Sequence, residues 1–187
     1  AADWHNAGLG PQLVQIEVTA QQLANADFLS SLQRLLAEHE LPPSGLAIAV
    51  NEAILIKNSQ PVIDLLYTLH GLGIRIVLNH FGTGYAALGF LKRYPIDRIT
   101  IDPMLIADLP DNPSSCTLVE ALLAIAERTQ LEVVADGIDT QAQLSWLGAR
   151  GCHLMQGSCI STPVSAAELE TLLRKGTLTP ITQAAGQ

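Results

Sequence analysis

The sequence predicts an α/β fold in which parallel strands alternate with helices and close as a (β/α) barrel. Three observations support this prediction. Six short apolar runs, rich in β-branched residues, alternate with amphipathic stretches of helical period. The runs are continuously apolar, as strands covered on both faces of a parallel sheet are. No GxGxxG pattern follows the first run, which disfavours the alternative, a doubly wound dinucleotide-binding sheet.

The predicted elements follow one another at uneven intervals. The strands are residues 13–18, 46–51, 74–79, 98–102, 132–136 and 153–157. The helices are residues 27–39, 60–71, 84–93, 114–129, 140–149 and 165–174. Helix 60–71 shows the clearest period, with an apolar face at i, i+3, i+4 and i+7 formed by Val62, Leu65, Leu66 and Leu69. Helix ends are predicted at residues 71–73 and 148–151, and N-caps at Ser114, Ser115 and Thr140.

Length and charge limit the classes of function. The 187 residues suffice for one domain with its own core, predicted over residues 1–175 and followed by a polar tail at 176–187. Eighteen acidic against ten basic residues give a net charge of −8, which argues against DNA or RNA as partners. No apolar run reaches the roughly 18–20 residues of a membrane span. Three cysteines without zinc-site spacing predict free thiols in the cytoplasm.

Polar residues follow the predicted strands at their C-terminal ends, where a (β/α) barrel carries its chemistry. In chain order they are Glu17, Glu52, Asn79, His80, Thr100, Asp102, Asp136, Asp139 and Gln156. Two interpretations stay open on these residues alone. They form a site, or they are polar because strand ends meet solvent.

Four segments carry a resemblance to a known family. Residues 79–102 read NHFGTGYAALGFLKRYPIDRITID, and residues 133–169 begin with VVADGIDTQAQL and contain MQGSCISTP. Residues 14–23 read VQIEVTAQQL, and residues 46–53 read LAIAVNEA. In order and spacing these segments resemble the DDFGTGYSSL, VVAEGVET, NLS and LELEITES motifs of EAL domains, the phosphodiesterases that open cyclic di-GMP. The resemblance covers about residues 1–175 and implies an EAL-type barrel.

The resemblance also implies one or two divalent metals, Mg²⁺ or Mn²⁺, that activate a water for attack on phosphorus. This sequence departs from the family at most of the implied positions. Glu52 and Gln156 are retained, whereas the positions that differ are Glu17, Ala49, Asn79, His80, Thr100, Asp136 and Asp139. An alanine replaces a glutamate at 49, and an asparagine and a histidine replace paired aspartates at 79 and 80. Each lost carboxylate weakens a site for hard cations.

The resemblance predicts an incomplete barrel without its first two strands, because the EAL tripeptide and a phosphate-binding arginine belong on a strand expected before residue 1. Strand 13–18 would then be an open edge. We expect either a partner chain, which is another protein or a second copy, or a missing upstream segment to cover this edge. By analogy with the family, residues 79–106 are the expected dimer interface.

The sequence therefore predicts a catalytically inactive signalling module that acts through protein contacts and has no metal cofactor. Binding of cyclic di-GMP without hydrolysis stays open, and its candidate residues are Asp102, Asp136, Gly137, Gln156 and Pro163. The alternative is a residual or rebuilt metal-dependent phosphodiesterase. The residues that would converge on a transition metal in that case are Glu17, Glu52, His80, Asp136 and Asp139.

Overall fold

Parallel strands followed by helices make up both units of the chain. The structure, a computed structural model, describes residues 2–9, 13–57, 59–82 and 89–175. It divides the chain into two units, residues 1–98 and 99–187. The predicted α/β class is confirmed in each of them. The predicted tail at 176–187 and the first part of the predicted helix 84–93 lie outside the described residues.

The first unit is built on three parallel strands with β2 in the middle. They are β1 (Val14–Glu17), β2 (Leu46–Asn51) and β3 (Arg75–Phe81). Residues 47–50 of β2 are completely buried, as expected for a strand covered on both faces. The register places Ala49 between Glu17 of β1 and Val77 of β3. The C-terminal ends of all three strands therefore meet at one edge.

The helices of the first unit follow the predicted order, and they include short helices that were not predicted. They are α1 (Ala2–Asn6), α2 (Ala20–Leu23), α3 (Phe28–Glu38), α4 (Glu52–Ile56), α5 (Gln60–Gly71) and α6 (Gly89–Arg93). Helix α5 has the predicted bounds, and Val62, Leu66 and Leu69 of its apolar face are buried. It ends at Gly71, and Gly73 turns the chain with φ of 90°.

In the described part of the second unit the strand order is β4-β5-β6, and helices follow the strands. Its elements are β4 (Arg98–Ile101), α7 (Pro103–Ala107), α8 (Pro113–Thr129), β5 (Glu132–Asp136), α9 (Gln141–Gly148), β6 (Leu154–Gln156) and α10 (Ala166–Lys175). Strands β5 and β6 are parallel. The core of this unit is aliphatic, with Ile101, Val119 and Leu147 completely buried. Cys152 and Cys159 belong to the same core, and all three cysteines are free thiols as predicted.

The helix caps correct one prediction and confirm another. Ser114 and Ser115 do not cap α8, because Asn112 does so two residues earlier: its Oδ1 accepts hydrogen bonds from the backbone N–H of Ser114 (2.9 Å) and Ser115 (3.3 Å). Pro113 then occupies the first helical position, where no backbone donor is needed. Thr140 caps α9 as predicted, and Gln143 completes a capping box.

Strand β1 is the outermost strand of the first unit. Within the described part of the chain it pairs only with β2, and Ile16 on it is 38% exposed. This agrees with the prediction of an edge at 13–18. Strand β6 is likewise outermost in the second unit, which the sequence analysis did not predict. No helix in the described ranges is long and apolar enough to cross a membrane.

Candidate functional site

The first unit brings together five of the predicted site positions at the ends of its strands. Glu17 pairs in register with Ala49, and Asn51 pairs with Asn79. Glu17 is exposed, whereas Asn79 and the following His80 are half-buried. His80 has a left-handed backbone with φ of 54°, a conformation that side chains other than glycine rarely adopt. The five positions are Glu17, Ala49, Glu52, Asn79 and His80, and they combine two carboxylates, one amide and one imidazole with an alanine.

Ala49 lies in an apolar cluster. It is completely buried and packs with Ala47 and Val77, and half-buried Leu13 covers the same cluster. An alanine offers no oxygen to a cation, and its neighbours here are aliphatic. A carboxylate at this position would lose its hydration to aliphatic surroundings, which is unfavourable unless a cation or hydrogen-bond donors compensate.

Glu52 is the retained carboxylate of this unit and is only 6% exposed. It begins α4, whose N-cap is Asn51, and its Oε1 accepts a hydrogen bond from the backbone N–H of Gly82 at 3.0 Å. Its Oε2 is buried and accepts no hydrogen bond from the described residues. The carboxylate therefore ties the turn after β3 to the start of α4 and leaves one oxygen without a partner in this part of the chain.

The second unit holds most of the predicted nucleotide-binding residues close together. Half-buried Asp136 pairs in register with exposed Gln156 across β5 and β6. Gly137 follows with φ of 82°, and a Cβ on it would lie 2.7 Å from the Cβ of Pro103. Only glycine permits this approach of the β5 end to the start of α7. The fifth candidate, Pro163, is exposed beyond β6.

Asp102 and Thr100 have local surroundings that the sequence did not reveal. Asp102 is nearly buried, and its Oδ1 accepts a hydrogen bond from the backbone N–H of Met104 at 2.8 Å, which makes it the N-cap of α7. Thr100 is also buried, on β4. The Asp102 carboxylate thus stabilises the start of α7, whether or not it also contacts a ligand.

Asp139 is held by the start of α9. Ser158 Oγ donates a hydrogen bond of 2.6 Å to Asp139 Oδ1. The backbone N–H groups of Asp139 and Thr140 both donate to Gln143 Oε1 at 2.9 Å. Gln143 Nε2 in turn donates to the carbonyl of Ile106 at 3.1 Å. This buried glutamine was not among the predicted site residues, and its signal in the sequence is the capping-box spacing from Thr140.

No metal centre is evident in the geometry of the described residues. Within those ranges, no three His, Cys, Asp or Glu side chains are grouped so that they could hold a metal ion. The predicted candidates Glu17, Glu52 and His80 belong to the first unit, and Asp136 and Asp139 belong to the second. Asp139 and Glu52 are engaged by the hydrogen bonds described above.

Comparisons with known proteins agree with the sequence motifs. The model of the EAL domain family matches residues 1–163. The chain is 34% identical over 170 residues to the cyclic di-GMP phosphodiesterase NbdA of Pseudomonas aeruginosa, and 30% identical over 169 residues to the cyclic di-GMP phosphodiesterase PdeR of Escherichia coli. These matches cover 91% and 90% of this chain, but only 22% and 25% of those proteins.

Solved structures give the same result. The EAL domain of Mycobacterium smegmatis DcpA matches 95% of this chain with a TM-score of 0.89 and 31% identity, and 80% of that domain is covered. The PaMucR phosphodiesterase, solved as a c-di-GMP complex, matches 90% of this chain with a TM-score of 0.84 and 30% identity, and 68% of it is covered. Both family motifs and fold agree over nearly the whole chain, which therefore belongs to the EAL domain family.

Proposed function

We propose that this chain is a catalytically inactive EAL domain that acts in cytoplasmic cyclic di-GMP signalling through contacts with other proteins. The observation that carries the proposal is the packing of Ala49. At a position where the resemblance implies a metal-binding glutamate, this chain has a completely buried alanine against Ala47 and Val77. A buried alanine at this position stabilises β2 by packing and offers no ligand to a metal ion.

The other substitutions support the same proposal. Mg²⁺ and Mn²⁺ prefer several oxygen ligands at short distance. Asn79 and His80 offer one amide oxygen and an imidazole where the resemblance implies two aspartates. Thr100 is buried and uncharged where it implies a lysine that orients the attacking water. These residues do not fit a two-metal site, and the loss of one positioned catalytic group already costs about 10²- to 10³-fold in rate.

Binding of cyclic di-GMP without hydrolysis is a second candidate function of the same domain. It is supported by the pairing of Asp136 with Gln156 and by the close approach of Gly137 to Pro103. Carboxylate and amide groups at strand ends suit hydrogen bonding to a guanine edge. The PaMucR phosphodiesterase is an example of a relative solved with c-di-GMP.

One observation favours the alternative, a residual or rebuilt metal-dependent phosphodiesterase. Glu52 Oε2 is buried without a hydrogen-bond partner among the described residues, and a cation would satisfy it. Titration with Mn²⁺ or Zn²⁺, followed by thermal unfolding, tests this alternative. A metal-dependent rise in Tm that Glu52→Gln abolishes would support it. An unchanged Tm would mean that Glu52 binds no metal ion and contributes only its hydrogen bond to the Gly82 backbone.

The decisive experiment is calorimetric titration of the chain with cyclic di-GMP in Mg²⁺ or Mn²⁺, followed by chromatography of the nucleotide. Inactivity predicts intact nucleotide after long incubation, and linear pGpG would overturn the proposal. Saturable heat with intact nucleotide would identify a non-hydrolysing receptor. In that case Gln156→Ala should weaken binding about tenfold, and Gln141→Ala, an exposed glutamine on α9, should not.

Protein contact is supported by the open edge of β1. In the described part of the chain β1 pairs only with β2, and a strand with one unpaired edge and an exposed aliphatic side chain favours association with another chain. Ile16 on β1 is 38% exposed, and Ile56, the last residue of α4, is 48% exposed and offers a matched control. Sedimentation should show association of the wild-type chain with itself or with an added partner. Ile16→Lys should abolish it and Ile56→Lys should not, and a stable monomer without partners would contradict this part of the proposal.

A further inference from the structure

Gln143 of α9 is a polar side chain that is only 4% exposed. Its Oε1 accepts hydrogen bonds from the backbone N–H groups of Asp139 and Thr140, both at 2.9 Å. Its Nε2 donates to the carbonyls of Ile106 at 3.1 Å and Ala107 at 3.4 Å, at the end of α7. One buried amide group therefore joins the segment that follows β5 to the end of α7.

The segment after β5, residues 137–140, is also bonded to the chain around the end of β6. The backbone N–H of Ile138 donates to the carbonyl of Gln156 at 3.0 Å, and the N–H of Cys159 donates to the carbonyl of Ile138 at 2.9 Å. These bonds hold the segment beside β6 and do not involve α7. Gln143 is the side chain that hydrogen-bonds both to this segment and to α7.

Helix α7 has five residues and is fixed at both ends. At its start, Asp102 Oδ1 accepts a hydrogen bond from the N–H of Met104, and Pro103 lies so close to Gly137 that a Cβ there would come within 2.7 Å of it. At its end, its carbonyls accept the bonds from Gln143. A helix this short does not keep its position by itself. The position of Asp102 relative to the end of β5 therefore depends on Gln143.

The candidate nucleotide-binding residues lie on both sides of this connection. Asp102 precedes α7, whereas Asp136 and Gly137 lie at the end of β5. A ligand that contacts both sides needs their separation to be fixed before it binds. The affinity falls in proportion to the fraction of time that the chain spends in the competent arrangement.

We propose that Gln143 is a positioning residue for the binding of cyclic di-GMP. It holds α7 and residues 137–140 at the separation at which Asp102, Asp136 and Gly137 contact the nucleotide together. Because its amide is buried and all its bonds are made within the second unit, it acts through these residues and not by touching the ligand. The inference rests on the proposed binding of cyclic di-GMP without hydrolysis and adds a residue that this binding depends on.

The test is calorimetric titration of the 187-residue chain with cyclic di-GMP in Mg²⁺, at a temperature at which every variant is folded. Gln143→Ala should weaken the affinity about tenfold, because the competent arrangement is then populated only part of the time. Leu147→Ala is the matched control, since Leu147 is completely buried near the other end of α9 and makes no bond to residues 137–140. It should lower the Tm through a core cavity and change the affinity less than about twofold. If Leu147→Ala does not fold, Leu147→Val takes its place.

Amide hydrogen exchange gives a second measurement that a loss of stability alone would not change in the same way. In the free Gln143→Ala chain, the N–H groups of Asp139 and Thr140 should exchange faster, because they have lost their acceptor. Saturating cyclic di-GMP should slow the exchange of residues 137–140 in this variant, because the ligand favours the competent arrangement. The wild-type segment is already fixed and should change less.

The outcomes separate this role from the proposed function. Equal losses of affinity in Gln143→Ala and Leu147→Ala would mean that Gln143 contributes only stability, and an unchanged affinity in Gln143→Ala would mean that the connection to α7 is not used. Either result would overturn the inference. Wild-type chain that leaves the nucleotide intact and does not bind it would overturn the positioning role and leave the proposed inactivity standing. Linear pGpG would overturn the inactivity, whereas a tenfold loss of affinity confined to Gln143→Ala would still support the role of Gln143.

Discussion

The strand ends of the two units differ in what surrounds the positions where the resemblance implies chemistry. In the first unit, Ala49 is packed among aliphatic side chains at the centre of three strands. In the second unit, Asp136 and Gln156 remain polar neighbours at the ends of β5 and β6. Asp139 beside them is fixed by Ser158 and by the α9 capping box. The position of Ala49 is thus part of the hydrophobic core, whereas Asp136, Gln156 and Asp139 keep hydrogen-bonding side chains at their positions.

Two different physical effects therefore stabilise the strands of the two units. Aliphatic packing stabilises β2 without any ligand, because its residues 47–50 are completely buried. Hydrogen bonds stabilise the residues after β5 and β6, because the backbone N–H of Ile138 donates to the carbonyl of Gln156 and Ser158 Oγ donates to Asp139. Mutations in the two places should therefore fail for different physical reasons, and four predictions follow from this contrast.

Ala49→Glu should have the largest effect. It introduces an ionisable group into the aliphatic cluster with Ala47 and Val77, so we expect a loss of about 4 kcal/mol in the free energy of unfolding. Ala53→Glu, at an exposed position of α4, is the control and should change stability by less than about 0.5 kcal/mol. Urea unfolding of both variants measures the difference. A stable Ala49→Glu variant that binds Mn²⁺ would contradict this expectation and would indicate that the other ligands of a metal site are already in place.

Gly157→Ala should be the most harmful single-carbon change in the second unit. A Cβ on Gly157 would overlap the backbone nitrogen and carbonyl oxygen of Ile138, and backbone cannot yield as a flexible side chain does. We expect a loss of about 3 kcal/mol. Gly148→Ala, at the last residue of α9 with open space around it, should be neutral or stabilising by about 0.5 kcal/mol. Similar losses in both variants would contradict the steric argument.

Gln143→Ala tests the hydrogen bonds that hold Asp139. The change leaves the backbone N–H groups of Asp139 and Thr140 and the carbonyl of Ile106 without their partner. We expect a loss of about 2 kcal/mol, measured by thermal or urea unfolding. Gln141→Ala on the exposed start of the same helix provides the comparison and should be nearly neutral. If Gln143→Ala proves neutral, water replaces the amide and the second unit does not depend on this network.

The sequence predicted the strands and long helices well, because their signals are local. Helix α5 and strands β2 and β5 have the predicted bounds, since an uninterrupted apolar period runs over their whole length. Short helices such as α4 and α7 were not predicted, because five residues are too few for a period. Their starts depend on the caps Asn51, the last residue of β2, and Asp102, which follows β4 and was predicted as a site residue.

The candidate site was predictable only as a set of positions. Motif spacing located Glu17 and Ala49 on neighbouring strands of the first unit, and Asp136 and Gln156 on neighbouring strands of the second, and the register agrees with both pairs. What each side chain does depends on long-range contacts that no local pattern encodes. The bond between Glu52 and the Gly82 backbone joins residues thirty positions apart, and the bond between Gln143 and Ile106 spans thirty-seven.

The smallest expected effect concerns the start of α10 and its dependence on pH. Hydrogen bonds from the Ser165 hydroxyl and backbone N–H lower the pKa of Glu168 below its usual value. A carboxyl group whose pKa is lower in the folded chain than in the unfolded chain stabilises the folded form at pH values above the unfolded pKa. This stabilisation disappears as the pH falls through the pKa of the folded chain. Amide hydrogen exchange in α10 should therefore quicken at acidic pH relative to α9. Ser165→Ala should raise the pKa of Glu168 and remove this difference. An unchanged exchange profile in that variant would mean that packing of α10, and not its cap, determines its local stability.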